Sequence, residues 1–159
     1  MLYVDSSALI KHYQKEEGSE PLEQKLQAER ETSQTIFTSV LTYAEIHAII
    51  ARRERENLLS AKEANELHDH FDVDWTFGLT PVELAVGVLG FVRTIVKAHP
   101  LRGTDAVQLA SALWLRDAAR LGVGPGKYDE PIEFSSSDRQ LCIAAQKFSL
   151  QIFNPLDAS

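Results

Sequence analysis

Four carboxylates stand beside hydroxyl residues at points where the chain passes into helix-forming sequence. They are Asp5 in Val4-Asp5-Ser6-Ser7, Glu45 in Thr42-Tyr43-Ala44-Glu45, Asp105 after Thr104, and Asp138 after Ser135-Ser136-Ser137. Brought into one crevice, such acids repel one another, which raises their pKa values and favours a hard, oxygen-seeking cation such as Mg²⁺ or Mn²⁺. No competing ligand set for zinc stands out: Cys142 is the single cysteine, and His12, His47, His68, His70 and His99 show no metal-binding spacing. Each acid also has a plainer use, because the unpaired N–H groups and dipole of a helix N-terminus favour anions. Thr42-x-x-Glu45 and Ser137-x-x-Gln140 even fit the pattern of a capping box. The elements that carry the four acids decide between these uses.

Leu2-Tyr3-Val4 is a short apolar, β-favouring run that stops at Asp5, and residues 8–16 are good helix formers with Leu9, Ile10 and Tyr13 on one side. A buried parallel strand feeding a helix reads this way, with Asp5 at the strand's carboxyl end, the edge where open α/β sheets hold reactive groups. Gly18 is expected at the C′ position of that helix, and a charged helix follows to about Glu31 with a thin stripe of Leu22, Leu26 and Ala28. Residues 35–38 read as a strand, with a helix from Ser39 whose inner side carries Ile46, Ile49 and Ile50. Ser60-Ala61-Lys62-Glu63 is a capping box opening a helix to about Phe71, and Val73, Trp75 and Phe77 alternate like a short strand, at a sheet edge. Thr80-Pro81-Val82-Glu83 reads as a helix start, with residues 82–98 as a well-buried apolar helix. Thr104-Asp105 opens a helix through Arg116, residues 121–131 form the longest loop, 132–134 and 150–153 are strands, and 139–147 are helical. Strands separated by helices throughout predict an α/β fold with a mainly parallel central sheet covered on both faces, spanning residues 1–159 as one domain.

The net charge of −7 argues against non-specific binding to a phosphate backbone, which draws on Lys and Arg, but not against an enzyme whose acids surround cations. Strand character from residue 2 and the lack of a basic leader or long apolar run give the expectation of a cytoplasmic protein.

The successive stretches Asp5-Ser6-Ser7-Ala8-Leu9-Ile10-Lys11, Thr42-Tyr43-Ala44-Glu45-Ile46, residues 101–110 around Thr104-Asp105-Ala106, and Ser137-Asp138-Arg139-Gln140-Leu141 resemble the signatures of PIN-domain proteins, and among them the VapC toxins of toxin–antitoxin pairs. The resemblance implies a three-layer α/β/α fold and a Mg²⁺- or Mn²⁺-dependent endoribonuclease that leaves a 5′-phosphate and a 3′-hydroxyl. It implies catalytic acids at Asp5, Glu45, Asp105 and Asp138, with metal held first by Asp5 and Asp105 and by Glu45 and Asp138 directly or through water. It places supporting hydroxyls at Ser7 and Ser137. The expected partners are RNA, a cognate antitoxin and a second copy of the chain. The loop over residues 121–131 is longer than a compact member needs.

Lys11 and Arg102 lie next to two of the acids, where each could meet RNA phosphate or pair with a carboxylate. Arg52, Arg53 and Arg55, interrupted by Glu54 and Glu56, read as a solvated helix end. Cys142 reads as an inert core residue, and Trp75 and Trp114 as packing or interface aromatics. Two other functions remain open on residues alone: a protein-interaction module whose acids are caps, and a phosphotransfer domain with Asp5 as covalent nucleophile. The second lacks an acid two residues after Asp5, where Ser7 stands.

Overall fold

A computed structural model describes residues 1–123 and 131–157. Five strands form one sheet: β1 (Leu2–Val4), β2 (Ile36–Ser39), β3 (Thr80–Val82), β4 (Glu133–Ser135) and β5 (Gln151–Phe153). Their order is β3-β2-β1-β4-β5, and every pairing is parallel. β1 is therefore central, and Asp5 follows directly from its buried end. Among the described residues seven helices connect and cover the strands: α1 (Ser6–Tyr13), α2 (Ser19–Glu31), α3 (Leu41–Arg55), α4 (Ala61–Phe77), α5 (Val86–Ala98), α6 (Gly103–Leu121) and α7 (Arg139–Lys147).

Side-chain alternation along the strands divides the core in two. Leu2, Val4 and Ile36 point to one face, where they pack with Leu9 of α1, Leu22 and Leu26 of α2, Ile46 and Ile50 of α3, and Phe71 of α4. Tyr3, Phe37 and Phe134 point to the other, against Val88 and Ile95 of α5, Leu109 and Leu113 of α6, and Leu141 of α7. The Tyr3 and Phe134 rings stack with centroids 5.4 Å apart. This is the three-layer α/β/α arrangement, and it is wholly parallel because each strand runs into a helix before the next one joins.

Four local expectations give way to tertiary context. Residues 73–77 are not a strand: α4 continues to Phe77 from a complete Ser60–Glu63 capping box, and the Gly78 N–H closes it on the Asp74 carbonyl. Residues 80–82 are not a helix start but edge strand β3, paired Phe37↔Thr80 and Ser39↔Val82; Pro81 is tolerated because an edge strand has one unpaired side. α5 accordingly begins at Val86, without a side-chain cap, and is not well buried. Val88 and Ile95 enter the core while Val86, Leu89 and Val96 stay exposed. Finally, α1 ends at Tyr13, and Gly18 serves as the residue before α2, with a φ of 84° that favours glycine.

Smaller shifts move element ends by a few residues. β2 holds Ser39, so α3 starts at Leu41; β4 covers 133–135; and α6 runs past Arg116 to Leu121, where Gly122 caps it in a left-handed conformation. Gly87 permits a close helix contact, because a Cβ there would lie 2.6 Å from Trp114 Nε1 on α6. Most of the expected 121–131 loop lies outside the described residues.

Candidate active site

The carboxyl ends of β1, β2 and β4 lie side by side, with Val4 in register with Ser135 and the Asp5 N–H bonded to the Ser135 carbonyl at 3.0 Å. Asp5 caps α1 by accepting the Ala8 N–H at 2.9 Å. Its two oxygens also receive the Ser7 hydroxyl, at 2.9 and 3.0 Å, and the second receives Ser136 Oγ at 2.9 Å. With only 3% of the residue exposed, burial pushes this carboxyl from 3.8 up to about 7, and the charge of Glu45 adds to the rise while its three donors oppose it. Capping alone does not need a carboxylate held in so dry a place.

Ser136 joins the two sides of the site. Besides donating to Asp5, its hydroxyl accepts the Asp138 N–H at 3.0 Å, while Ser7 Oγ accepts the Ser137 N–H at 3.0 Å. The β1–α1 and β4–α7 corners are thereby fastened together, which fixes Asp138 relative to Asp5. Asp138 caps α7 through Oδ1, which accepts from Leu141 N at 3.0 Å, so Asp138 itself and not a Ser137–Gln140 box starts that helix.

Glu45 is not a capping residue. α3 begins from Val40 without a side-chain cap, and Glu45 Oε2 accepts instead from Gln108 Nε2 of α6 at 2.6 Å. Gln108 is buried and fully committed, donating also to Thr42 Oγ1 at 2.9 Å and accepting from the Tyr3 hydroxyl at 2.8 Å. Asp105, one helical turn before Gln108, is partly exposed in the first turn of α6. Burial raises its pKa first and the charge of Asp138 second; the Arg102 backbone amide and guanidinium act the other way. The charge of Glu45 thus reaches Asp5, and that of Asp138 reaches Asp105.

The donor set suits a divalent cation of the Mg²⁺ class: it consists of carboxylate oxygens, and among the described residues the buried Ser137 hydroxyl has no hydrogen-bond partner. Among the described residues the four acids do not close into a triad of ligand atoms within 4.8 Å of one another. That wider spacing fits an ion that keeps several of its waters and binds few carboxylates directly.

The PIN-domain profile matches residues 2–119, three quarters of the chain. The chain belongs to the PIN-domain family. The match contains Asp5, Glu45 and Asp105, and Asp138 lies beyond it. The chain is similar to two proteins of Mycobacterium tuberculosis, Ribonuclease VapC45 of strain CDC 1551 / Oshkosh and Ribonuclease VapC49 of strain ATCC 25618 / H37Rv. Each is 32% identical over 117 residues, covering 74% of this chain and 78% of the relative. Among solved structures, FitAcB from Neisseria gonorrhoeae superposes with a TM-score of 0.65 at 16% identity, covering 98% of both chains. FitAB bound to an IR36 DNA fragment gives the same TM-score at 17% identity, covering 98% of this chain and 96% of that one. At those identities the likeness establishes the fold.

Other residues of this PIN domain fall differently from their sequence positions. Lys11 is buried and turns away from the acids to Glu16, 2.7 Å distant, whose other oxygen meets Arg53 Nη2 at 3.0 Å. Arg102 is exposed at the start of α6, beside Asp105. Cys142 is buried with its Sγ 3.3 Å from the Ser136 carbonyl, and burial pushes its thiol up to about 12, as an inert core residue requires. Sequence reasoning missed Ser136 and Gln108. Ser136 was hidden in a run of three serines, whose directions depend on where β4 ends. Gln108 carries no motif of its own, and its signal is a polar residue on the otherwise apolar inner face of α6. The histidines also need correction: His12, on α1, and His70, with Asp74 on α4, bring ligand atoms within 4.8 Å of one another.

Proposed function

We propose that this PIN domain is a metal-dependent endoribonuclease, the toxin of a toxin–antitoxin pair, which leaves a 5′-phosphate and a 3′-hydroxyl. The observation that carries this reading is the buried, hydroxyl-braced Asp5 at the end of the central strand, with Glu45, Asp105 and Asp138 delivered to the same edge. Asp5 and Asp105 would hold Mg²⁺ or Mn²⁺, with Glu45 and Asp138 contributing directly or through water. When bound, such an ion supplies positive charge for a phosphate oxygen and lowers the pKa of water.

The chain's own residues do the remainder. Ser7 and Ser136 fix both oxygens of Asp5 while leaving the outer edge of its carboxylate free of a formal countercharge. Gln108 holds Glu45 Oε2, so the other oxygen, Oε1, can accept a proton from attacking water or orient it. Asp138 spends Oδ1 on the α7 amide and keeps Oδ2 for the same duty. Arg102, exposed beside Asp105, is placed to meet substrate phosphate. Ser7 stands two residues after Asp5, where a phosphotransfer site needs a second acid, and its hydroxyl is spent on the Asp5 carboxylate, which disfavours the phosphotransfer reading. The names of the mycobacterial relatives support ribonuclease activity. Cleavage of a mixed RNA substrate with chelator, Mg²⁺ or Mn²⁺ tests it: activity is expected only with metal, and Asp105→Asn should remove it while far-ultraviolet circular dichroism is unchanged. Equal cleavage in chelator would remove the metal from the reaction.

Metal should also stabilise the fold, because the folded chain gathers the acids and the unfolded one disperses them. Linkage gives about 2.7 kcal/mol when free metal is 100 times its dissociation constant. Thermal melts in chelator and in millimolar Mg²⁺ measure the difference, and identical melting temperatures would count against a site on these acids.

We further propose a homodimer and an antitoxin partner. The half-exposed apolar side of α5 supports a protein contact, with Leu89 and Val96 about half exposed and Val86 almost fully so. Leu89→Lys should shift the chain from dimer to monomer in size-exclusion chromatography with light scattering and cost the fold little, since Leu89 lies outside the core. A dimer unaltered by this substitution would place the interface elsewhere.

A further inference from the structure

We propose that His12, His70 and Asp74 form a second metal site, for Zn²⁺ or a similar borderline transition ion, separate from the four acids at the sheet edge. The two imidazoles aim the same kind of atom at one carboxylate oxygen: His12 Nε2 lies 3.3 Å and His70 Nε2 3.8 Å from Asp74 Oδ2. Bonds of about 2.0–2.1 Å in a tetrahedral zinc site put neighbouring ligand atoms about 3.3–3.4 Å apart. The three ligands therefore need only small side-chain movements to enclose an ion, and a water can complete the set.

Two further features supply the surroundings that a histidine–carboxylate metal site uses. Glu23 of α2 holds the opposite ring nitrogen of His12, Nδ1, at 2.5 Å. With carboxylates facing both of its nitrogens the metal-free ring favours its protonated form, held by Asp74 first and Glu23 with it. An ion would therefore replace the Nε2 proton while Glu23 keeps Nδ1–H, fixes the tautomer and raises the ring's basicity. Tyr13, on the same side, donates its hydroxyl to Asp74 Oδ2 at 3.0 Å and so supports the carboxylate. His70 and Asp74 are one turn apart on α4, a spacing that places two ligands on a single helix face. His70 is 54% exposed at its side chain, which gives an ion a way in, while His12 is 10% exposed and preset.

The donor chemistry selects the ion. Two neutral imidazoles and one carboxylate suit zinc, cobalt or nickel, whereas Mg²⁺ prefers oxygen throughout. His12 sits in the last turn of α1, at the far end from Asp5, so the two sites use opposite ends of one helix. A bound ion would tie α4 to α1 and, through Glu23, to α2.

Metal-free full-length protein titrated with Co²⁺ tests this. One equivalent should bring up the visible ligand-field bands of a tetrahedral nitrogen–oxygen site, and Zn²⁺ should displace them. His70→Ala should abolish the bands, and Glu23→Gln should weaken Zn²⁺ binding by about 10–100-fold in competition with a chromophoric chelator. Asp5→Asn should leave bands and affinity unchanged, which separates this site from the acid cluster. Metal-free circular dichroism of each variant confirms folding. Absence of the bands in the wild type, their survival in folded His70→Ala, or their loss in Asp5→Asn would each overturn the assignment.

Discussion

Asp5→Asn is expected to abolish RNA cleavage and, in metal-free solution, to make the protein more stable. The two effects have one cause. The wild-type carboxyl is buried, and desolvation holds its folded pKa near 7 against an ordinary 3.8. Below about pH 4 the acid is neutral in both folded and unfolded chains and costs nothing. Between pH 4 and 7 the unfolded chain ionises while the folded one resists, so stability falls as pH rises, and the full penalty is present above pH 7. A rise of that size corresponds to at most about 4 kcal/mol. Asparagine keeps the shape, can still cap α1 through its oxygen, and leaves its amide facing the Ser7 and Ser136 hydroxyls, which accept as well as donate. Denaturant melts of the two proteins in chelator at pH 5 and pH 8 should show a gain for the variant that is larger at pH 8. With millimolar Mn²⁺ the order should narrow, because the ion stabilises only the chain that holds it. A variant that is inactive and also less stable at pH 8 would mean that the Asp5 carboxylate is chiefly a structural cap.

The sequence is legible where local pattern and tertiary packing ask for the same structure. β1 and α1 were readable because strand composition, an acid cap and apolar spacing agree there. The parallel sheet followed from the alternation of strands and helices. Of the four acids only Asp5 and Asp138 stand at strand-to-helix turns, while Asp105 opens α6 after another helix and Glu45 lies inside α3. Reading failed where local pattern and tertiary pairing compete. Thr80-Pro81-Val82 has the composition of a helix start, yet β2 offers it a free edge and takes it as a strand. Val73, Trp75 and Phe77 alternate, yet a capped helix already propagating from Ser60 carries them, with Trp75 against Phe71 and Tyr43 and with Val73 and Phe77 left outside. The helix also places Asp74 one turn after His70, a relation that a strand over residues 73–77 does not give. Ser136 and Gln108 act through neighbours more than 60 residues away, and no periodicity reports such contacts.

Gln108→Leu should lower the rate of RNA cleavage by about 100-fold and destabilise the fold by about 2 kcal/mol, although residue 108 is buried. Leucine has similar bulk, so the core stays filled. What is lost is the donor to Glu45 Oε2 at 2.6 Å and the acceptor for the Tyr3 hydroxyl at 2.8 Å. Leaving a buried polar group without its partner costs about 1–3 kcal/mol, and a catalytic group displaced by about 1 Å can lose about 10²-fold in rate. Thr42 retains its bond to Thr38 at 2.7 Å, so the start of α3 should hold. Tyr3→Phe separates the two consequences: it removes the hydroxyl from the same chain of bonds but keeps Gln108 on Glu45, and should cost about 1 kcal/mol with cleavage within a few-fold of wild type. Single-turnover cleavage at saturating protein reads the chemical step, and urea melts read the fold. If Gln108→Leu loses stability yet cleaves like the wild type, Gln108 is a core hydrogen-bonding residue only, and the orientation of Glu45 does not govern the reaction.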